Sequence, residues 1–506
     1  MIDPRTPVLV GVGQDEQRVE DLSRAREPID LLADAARRAD ADSGAPRSLL
    51  ARVDTVATVA MVSWPYPDPG ALVARRLGIP DLRRTAVSAN GGNSPQLLVN
   101  RFASEIAAGA CDVVLVGGAE CLFTRRRARQ EPKTWLTWTD DDAPPCPEVI
   151  GDTRPGTSDY EDDHGAVAPI LIYPLFETAL RAAAGRTVEE HQRHVGDLWA
   201  GFNAVAVENP HAWTRTPRTS EQIRTSGPDN RMVVAPYPKL MCANIEVDQA
   251  AALLLCSYET ARAAGVPAEN MVFPLSGADA HDHYFFSERN HLSEAPAVGV
   301  AGRAALDAVG MDLDDVARFD LYSCFPSAVQ LTMGSLELPG PAGGDRRPLT
   351  VTGGLGFAGG PANDYPSHAI ARMVEACRAD PGSAGFVHAL GWYSTKHSVG
   401  VYSTRPPGAG RFTLVDRAAT QANVDARAGR AVAGAYDGIA TIEATAVHVG
   451  RDGTPDLGIV ALLTPSGARA LANTTDIDVL SEMMRTAFDG RDAKVSTDGR
   501  RNTLEV

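Results

Sequence analysis

Apolar positions along this chain switch between a period of two and a period near 3.6, and the switches set out its elements. Residues 8–13 begin with the apolar run Val8, Leu9 and Val10 and pass through Gly11 and Gly13, which predicts a buried strand ending in a glycine turn. Residues 29–40 carry Leu31, Leu32 and Ala35 on one helical face. A strand pattern over 53–59 follows. The turn Asn90, Gly91, Gly92, Asn93, Ser94, Pro95 then leads into a helix over 96–108, with Leu97, Leu98, Phe102 and Ile106 on its apolar face. Residues 112–118 read as the next strand.

The second half repeats this order. A helix over 299–309 precedes a strand at 319–322, the turn Gly359, Gly360, Pro361 leads into a helix around 367–376, and a strand follows at 385–390. Asp54 to Gly92 is 38 residues and Asp320 to Gly360 is 40; Gly92 to Asp112 is 20 and Gly360 to Gly385 is 25. The pattern is an internal duplication, and its alternation predicts sheets covered by helices. Residues 122–245 interrupt it as an insertion. Polar stretches there include Arg125, Arg126 and Arg127, then Asp140, Asp141 and Asp142, with helical runs at 173–184 and 188–207. After Pro406, Pro407 and Gly408 the period turns to two. Segments 438–450 and 457–463 are joined by Arg451, Asp452 and Gly453, a hairpin signal in a β-rich tail of about 100 residues.

Composition narrows the function. With 44% hydrophobic and 22% charged residues over 506 positions, the chain has the apolar content of a folded, multidomain protein. No apolar run approaches the roughly 18 residues that span a bilayer, and the start lacks a signal-peptide layout, so a cytoplasmic location is expected. The net charge of −16 argues against nucleic acid as a partner. The seven cysteines are scattered, with no Cys-x-x-Cys, which argues against a disulfide framework or a zinc site. Lys133, Lys239, Lys396 and Lys494 are the lysines of a chain whose other basic residues are arginine. A retained lysine therefore flags a task arginine does not do.

Several motifs together resemble the thiolase superfamily. Gly117-Gly118-Ala119-Glu120 is similar to its Gly-Gly-x-Glu strand end, residues 353–361 to its glycine-rich loop ending in Gly-His-Pro, and Asp248-Gln249-Ala250-Ala251-Ala252 to its Asp-Gly-Ala-Ala strand. Tyr173-Pro174-Leu175-Phe176 resembles the loop-domain helix of sterol-carrier-protein-type thiolases. The resemblance spans residues 1 to about 408. It implies an α/β fold: a duplicated five-layer αβαβα core with a loop-domain insertion, plus a C-terminal barrel of the oligonucleotide-binding (OB-like) type. The domains would be 1–121 with 246–270, the insertion 122–245, the second half 271–408 and the extra domain 409–506. It also implies coenzyme A (CoA) or an acyl-CoA thioester as ligand, no further cofactor, no metal, and a homodimer, with a monomer left open.

The departures from that family bear on chemistry. Thiolases attack an acyl-CoA with a cysteine thiolate at a helix N-terminus, using a histidine base and a second cysteine. Here the nucleophile position falls on Gly92, and no cysteine lies between 54 and 110. The base position holds Gly360, the Asn-Glu-Ala-Phe loop reads Tyr322-Ser323-Cys324-Phe325, and the last Cys-x-Gly loop reads Ala389-Leu390-Gly391. The pattern, including residues 395–404, most resembles the thiolase-like proteins of type 1, which lack the catalytic cysteines and carry an extra β domain.

Candidate ligand-binding positions follow from the glycine turns: Gly91, Gly92, Asn93 and Ser94 at a helix N-terminus, with Gly359, Gly360 and Gly391 opposite. Candidate catalytic residues are four. Tyr322 reads as a donor to a carbonyl or as core packing, and Cys324 as a nucleophile or a small buried hydrophobe. Lys396 and His397 read as phosphate- or carbonyl-binding groups or as a surface pair. Arg125, Arg126 and Arg127 could meet a CoA phosphate or lie solvated, and His281, His283 and His291 lack the pattern of a metal site. Two functions stay open. One is CoA or acyl-CoA binding in lipid or acyl-CoA metabolism, within the acyltransferase superfamily but without thiolase chemistry. The other is retro-aldol cleavage of a β-hydroxyacyl-CoA, of the steroid side-chain type.

Overall fold

The computed structural model describes residues 2–131, 136–139, 144–408 and 410–505, so Lys133 and the acidic run Asp140, Asp141 and Asp142 lie outside the described residues. The chain first lays down β1 (Pro7–Glu16), β2 (Thr55–Thr58), β3 (Arg84–Ser88), β4 (Val113–Cys121) and the short β5 (Val149–Ile150). The insertion then supplies a hairpin of β6 (Met232–Ala235) and β7 (Tyr237–Pro238), and β8 (Asp248–Ser257) returns to the first sheet, ordered β1-β8-β4-β2-β3-β5. A second sheet, ordered β10-β11-β12-β9-β13, is built from β9 (Phe273–His281), β10 (Val316–Leu321), β11 (Ala384–Gly391), β12 (Lys396–Ser403) and β13 (Thr413–Leu414).

Helices complete the layers. α1 (Pro28–Asp42) covers the outside of the first sheet with Leu31, Leu32, Ala35 and Ala39, all buried. α2 (Ser94–Ala108) lies between the sheets and touches both; the insertion adds α3 (Pro169–Ala183) and α4 (Val188–Glu208). α5 (Pro296–Asp307) covers the outside of the second sheet, and α6 (Tyr365–Ala379) joins α2 in the middle layer. The architecture is the five-layer αβαβα arrangement that the thiolase resemblance implies, and its sheets are covered by helices as the duplication predicts.

One local expectation is corrected. β1 does not end at Gly13 but continues to Glu16. Gly11 and Gly13 serve close packing rather than a turn, because a Cβ on Gly11 would stand 1.9 Å from the Ala39 carbonyl oxygen of α1.

In the tail, β14 (Gly438–Val449), β15 (Pro455–Leu463), β16 (Arg469–Thr474), β17 (Asp492–Thr497) and β18 (Asn502–Glu505) close a ring in the order β14-β15-β16-β18-β17. This is the OB-like barrel expected, and closure leaves no free edge within the ring. α7 (Arg417–Asp425) and β13 pack on the second sheet, so the barrel strands begin at Gly438; α8 (Ile477–Met483) connects β16 to β17. β14 also pairs antiparallel with β6, Val447 opposite Ala235 and His448 opposite Val234, which extends the barrel wall into the insertion. Further ties hold the barrel down: Tyr160 Oη accepts from the Leu471 amide at 2.8 Å, and His164 Nε2 from the Asn502 amide at 3.0 Å. No described helix is long and apolar enough to cross a membrane.

Candidate functional site

The two glycine turns meet between the sheets at the floor of one cavity of about 920 Å³. From β3 the chain turns through Gly91 and Gly92 into α2. The Gly91 amide donates to Asn363 Oδ1 at 2.9 Å, and Ser94 Oγ donates to the Ala89 carbonyl at 2.8 Å. The amides of Gly92 and Asn93, just before the helix, donate to no acceptor among the described residues. With the positive end of the α2 dipole behind them, they suit a carbonyl oxygen or an anion.

Gly92 has no space for a side chain. A Cβ there would lie 2.3 Å from Tyr322 Oη and 2.6 Å from the Leu390 carbonyl oxygen. Tyr322, just past β10, is buried and packs edge-on against Tyr365 at 5.5 Å. It lines the cavity. Burial, and then nearby Cys324, push its phenol above the ordinary range, so it stays protonated and keeps its proton to donate. Cys324 also lines the cavity, but burial pushes its thiol up to about 12. Cys242, which the sequence reading passed over, lines the cavity with a thiol also pushed up to about 12 by burial. Neither presents a thiolate near neutral pH.

The remaining sequence candidates divide. Gly91, Gly92 and Gly360 line the cavity. Gly360 has ordinary contact room at its Cβ position, 3.4 Å from the Asn244 carbonyl oxygen and from Leu355, so the base position is unoccupied without being sterically closed. Asn93, Ser94, Gly359 and Gly391 stand behind the lining. Gly359 packs on Gln249, and Gly391 on Asn93. Lys396 and His397 are buried, not a surface pair, because β12 lies between β11 and β9. Lys396 Nζ donates to the carbonyls of Asn90 at 2.6 Å and Asp152 at 3.1 Å, holding the turn before Gly91. His397 lies outside the lining, with Nε2 3.2 Å from Asp282 Oδ2 and Nδ1 3.0 Å from His388 Nε2. Among the described residues no cluster of His, Cys, Asp or Glu could hold a metal.

Other parts of the site were not legible as functional. Tyr173 of α3 stacks on Phe325 at 4.9 Å and donates to the Trp392 carbonyl at 3.0 Å. Trp392 and Ser394 hold positive φ angles of 57° and 55° in the loop between β11 and β12, a strained backbone at the cavity wall. Arg231, Lys239 and Arg451 line the cavity with Arg126, already a candidate from the sequence for a CoA phosphate; among the described residues the one lining carboxylate is Glu246, which pairs with Arg126.

Residues 419–500 match the model of the thiolase-like protein type 1 additional C-terminal domain. Over the full length of both chains, the sequence is 35% identical to the monomeric SCP2-thiolase like protein type 1 (STLP1) from Mycobacterium smegmatis, with a TM-score of 0.84. The chain belongs to the SCP2-thiolase-like type 1 family. More distant likenesses agree with that family's fold. An Ltp2-ChsH2(DUF35) aldolase is 21% identical with a TM-score of 0.60, over 79% of this chain and 98% of that one. An acetyl-CoA acetyltransferase of Methanocaldococcus jannaschii is 26% identical over 263 residues, which is 50% of this chain and 57% of that relative's length.

Lys396 gives this family member a pH signature. Burial holds its ammonium down to about 8, below the ordinary lysine range. Between about 8 and the ordinary value near 10.4 the unfolded chain binds more protons than the folded one, so the lysine's contribution to stability rises with pH across that window. We expect the melting temperature of the wild type, minus that of Lys396→Met, to increase from pH 8 to pH 10. A flat difference would refute the assignment.

Proposed function

We propose that this chain holds a CoA thioester without forming a covalent intermediate, its carbonyl oxygen set between the Tyr322 hydroxyl and the start of α2. The observation that carries this is the protonated Tyr322 hydroxyl, 2.3 Å from where a side chain at position 92 would begin. A donor fixed there polarises a thioester carbonyl and stabilises an enolate form of it. The cationic side chains of the cavity suit the ligand's phosphates. The acetyl-CoA acetyltransferase relative supports the ligand class, whereas Gly92 and Gly360 argue against acetyl transfer through a cysteine. The monomeric STLP1 relative favours a monomer over the homodimer the superfamily implies.

Retro-aldol cleavage is the second reading, favoured by a site that offers a donor and no nucleophile. A base would take the proton of a β-hydroxyl. The Cα–Cβ bond would break to release an aldehyde or ketone, and its electron pair would form the thioester enolate, which is then protonated at Cα. The aldolase in the comparison shares the fold with this chain. Glu246, the lining carboxylate among the described residues, is engaged by Arg126, so binding stands first.

Calorimetry with CoA, acetyl-CoA and butyryl-CoA tests the proposal. We expect heat and a thermal shift with the thioesters, and binding of the thioesters about tenfold weaker in Tyr322→Phe, with free CoA unaffected. Absence of heat and of any shift with every ligand would overturn it.

A further inference from the structure

Resting on the thioester reading, the geometry points to the extra C-terminal barrel as part of the ligand site: the Arg451 turn, with Arg231 and Lys239, forms a clamp for the phosphate groups of the bound nucleotide-linked thioester. Three strand ends converge to make it. The β6–β7 hairpin sets Lys239 beside Arg231, and the Lys239 amide donates to the Arg231 carbonyl at 3.0 Å. On the other side, β14 pairs with β6 through Val447 opposite Ala235 and His448 opposite Val234. β14 ends at Val449, one residue past its pairing with β6, and the turn that follows carries Arg451 into the wall of the same cavity. All three side chains line the cavity that has Gly92 and Tyr322 at its floor.

None of the three cations pairs with a carboxylate among the described residues. Arg126, the fourth lining cation, is engaged by Glu246. The carboxylate nearest Arg451 in sequence, Asp452, is turned onto its own loop, where Oδ1 accepts from the Thr454 amide at 3.0 Å. Arg231 Nη1 donates to the Met232 carbonyl at 3.0 Å, which leaves the rest of its guanidinium available. Lys239 and Arg451 are solvent-exposed. Three cations lining one cavity of a chain of net charge −16 concentrate positive potential there and favour an anion in it. The barrel also holds Arg451 in position rather than swinging it on a tether. The backbone pairing of β14 with β6 is backed by Thr178 Oγ1, which accepts from the Thr445 amide at 3.0 Å.

Calorimetry with three probes separates this clamp from the reading it rests on: butyryl-CoA, butyryl-pantetheine, which lacks the nucleotide and its phosphates, and adenosine 3′,5′-bisphosphate. Arg451→Ala is expected to weaken butyryl-CoA and the bisphosphate about tenfold and to leave butyryl-pantetheine and the melting temperature unchanged. Arg451→Lys should retain part of the affinity, and the salt dependence of butyryl-CoA binding should fall in Arg451→Ala. Equal butyryl-CoA affinity in wild type and Arg451→Ala would overturn the clamp and leave the thioester site standing. Bisphosphate binding that depends on Arg451, with no binding of butyryl-pantetheine, would keep the clamp and overturn the thioester reading. Binding of none of the three probes to the wild type would overturn both.

Discussion

Arg469→Ala is expected to destabilise the chain by about 3–5 kcal/mol, the largest single loss we foresee outside the backbone. Arg469 lies in β16 with no exposed side-chain surface, at the seam between barrel and core. It pairs side-on with Glu443 of β14 through one edge of the guanidinium, Nε to Oε2 at 2.7 Å and Nη2 to Oε1 at 2.8 Å. The same group donates to the carbonyls of Ser287 at 3.0 Å, Asn290 at 3.3 Å and Arg289. Alanine strands a mostly buried carboxylate and the carbonyls of Ser287 and Arg289 at once, whereas the Asn290 carbonyl keeps Arg430 Nε at 2.9 Å. The unpaired charge dominates that cost, because a buried neutral acceptor left alone costs only about 1–3 kcal/mol. Arg469→Met with Glu443→Leu should therefore recover more than half of the loss, the remainder belonging to the carbonyls. Thermal unfolding measures the loss, and limited proteolysis shows its location, since the barrel should be released from the core in Arg469→Ala. A melting temperature within 1 °C of wild type would refute the assignment.

That seam explains what was legible in the sequence and what was not. The duplicated core was readable because each element is long and its period is clean. Leu31, Leu32 and Ala35 fall on one helix face, and Phe102 and Ile106 on another, whatever they pack against. The barrel was readable for the same reason at period two. Gly92 and Tyr322 were found through motif spacing, although only the fold brings them within contact distance. Lys396 and His397 show where local reading ends. β12 has neighbours on both sides and cover on both faces, so alternation along it does not separate inside from outside. Lys239 stood out only as one of four lysines and Arg451 only as part of a hairpin turn, and neither signal joined them to each other or to Arg231. They meet because a two-residue pairing joins a strand of the tail to a strand of the insertion, more than 200 positions away, and no period within either segment encodes that pairing.

Restoring the thiolase nucleophile is expected to fail. Gly92→Cys should yield no thiolytic cleavage of acetoacetyl-CoA above the background of wild type, and should cost about 1–3 kcal/mol of stability through overpacking. The new Cβ meets two obstacles of different kinds. Tyr322 Oη, at 2.3 Å, is the end of a side chain and can swing aside at the expense of its place over the helix terminus. The Leu390 carbonyl oxygen, at 2.6 Å, is backbone of β11, which is flanked by β10 and β12, and gives way only if the sheet shifts. Gly92→Cys with Tyr322→Ala should therefore regain part of the stability but not all of it. Catalysis should stay absent even in the double variant, since Gly360 supplies no base and the other lining thiols, Cys242 and Cys324, are held protonated at about 12. Adding Gly360→His tests the last step, because that position has room for a side chain. Turnover in Gly92→Cys alone would mean that Tyr322 does not occupy the nucleophile's place, whereas its absence, with a stability loss partly repaired by Tyr322→Ala, ties glycine and tyrosine together as one exchange of a covalent site for a hydrogen-bonding one.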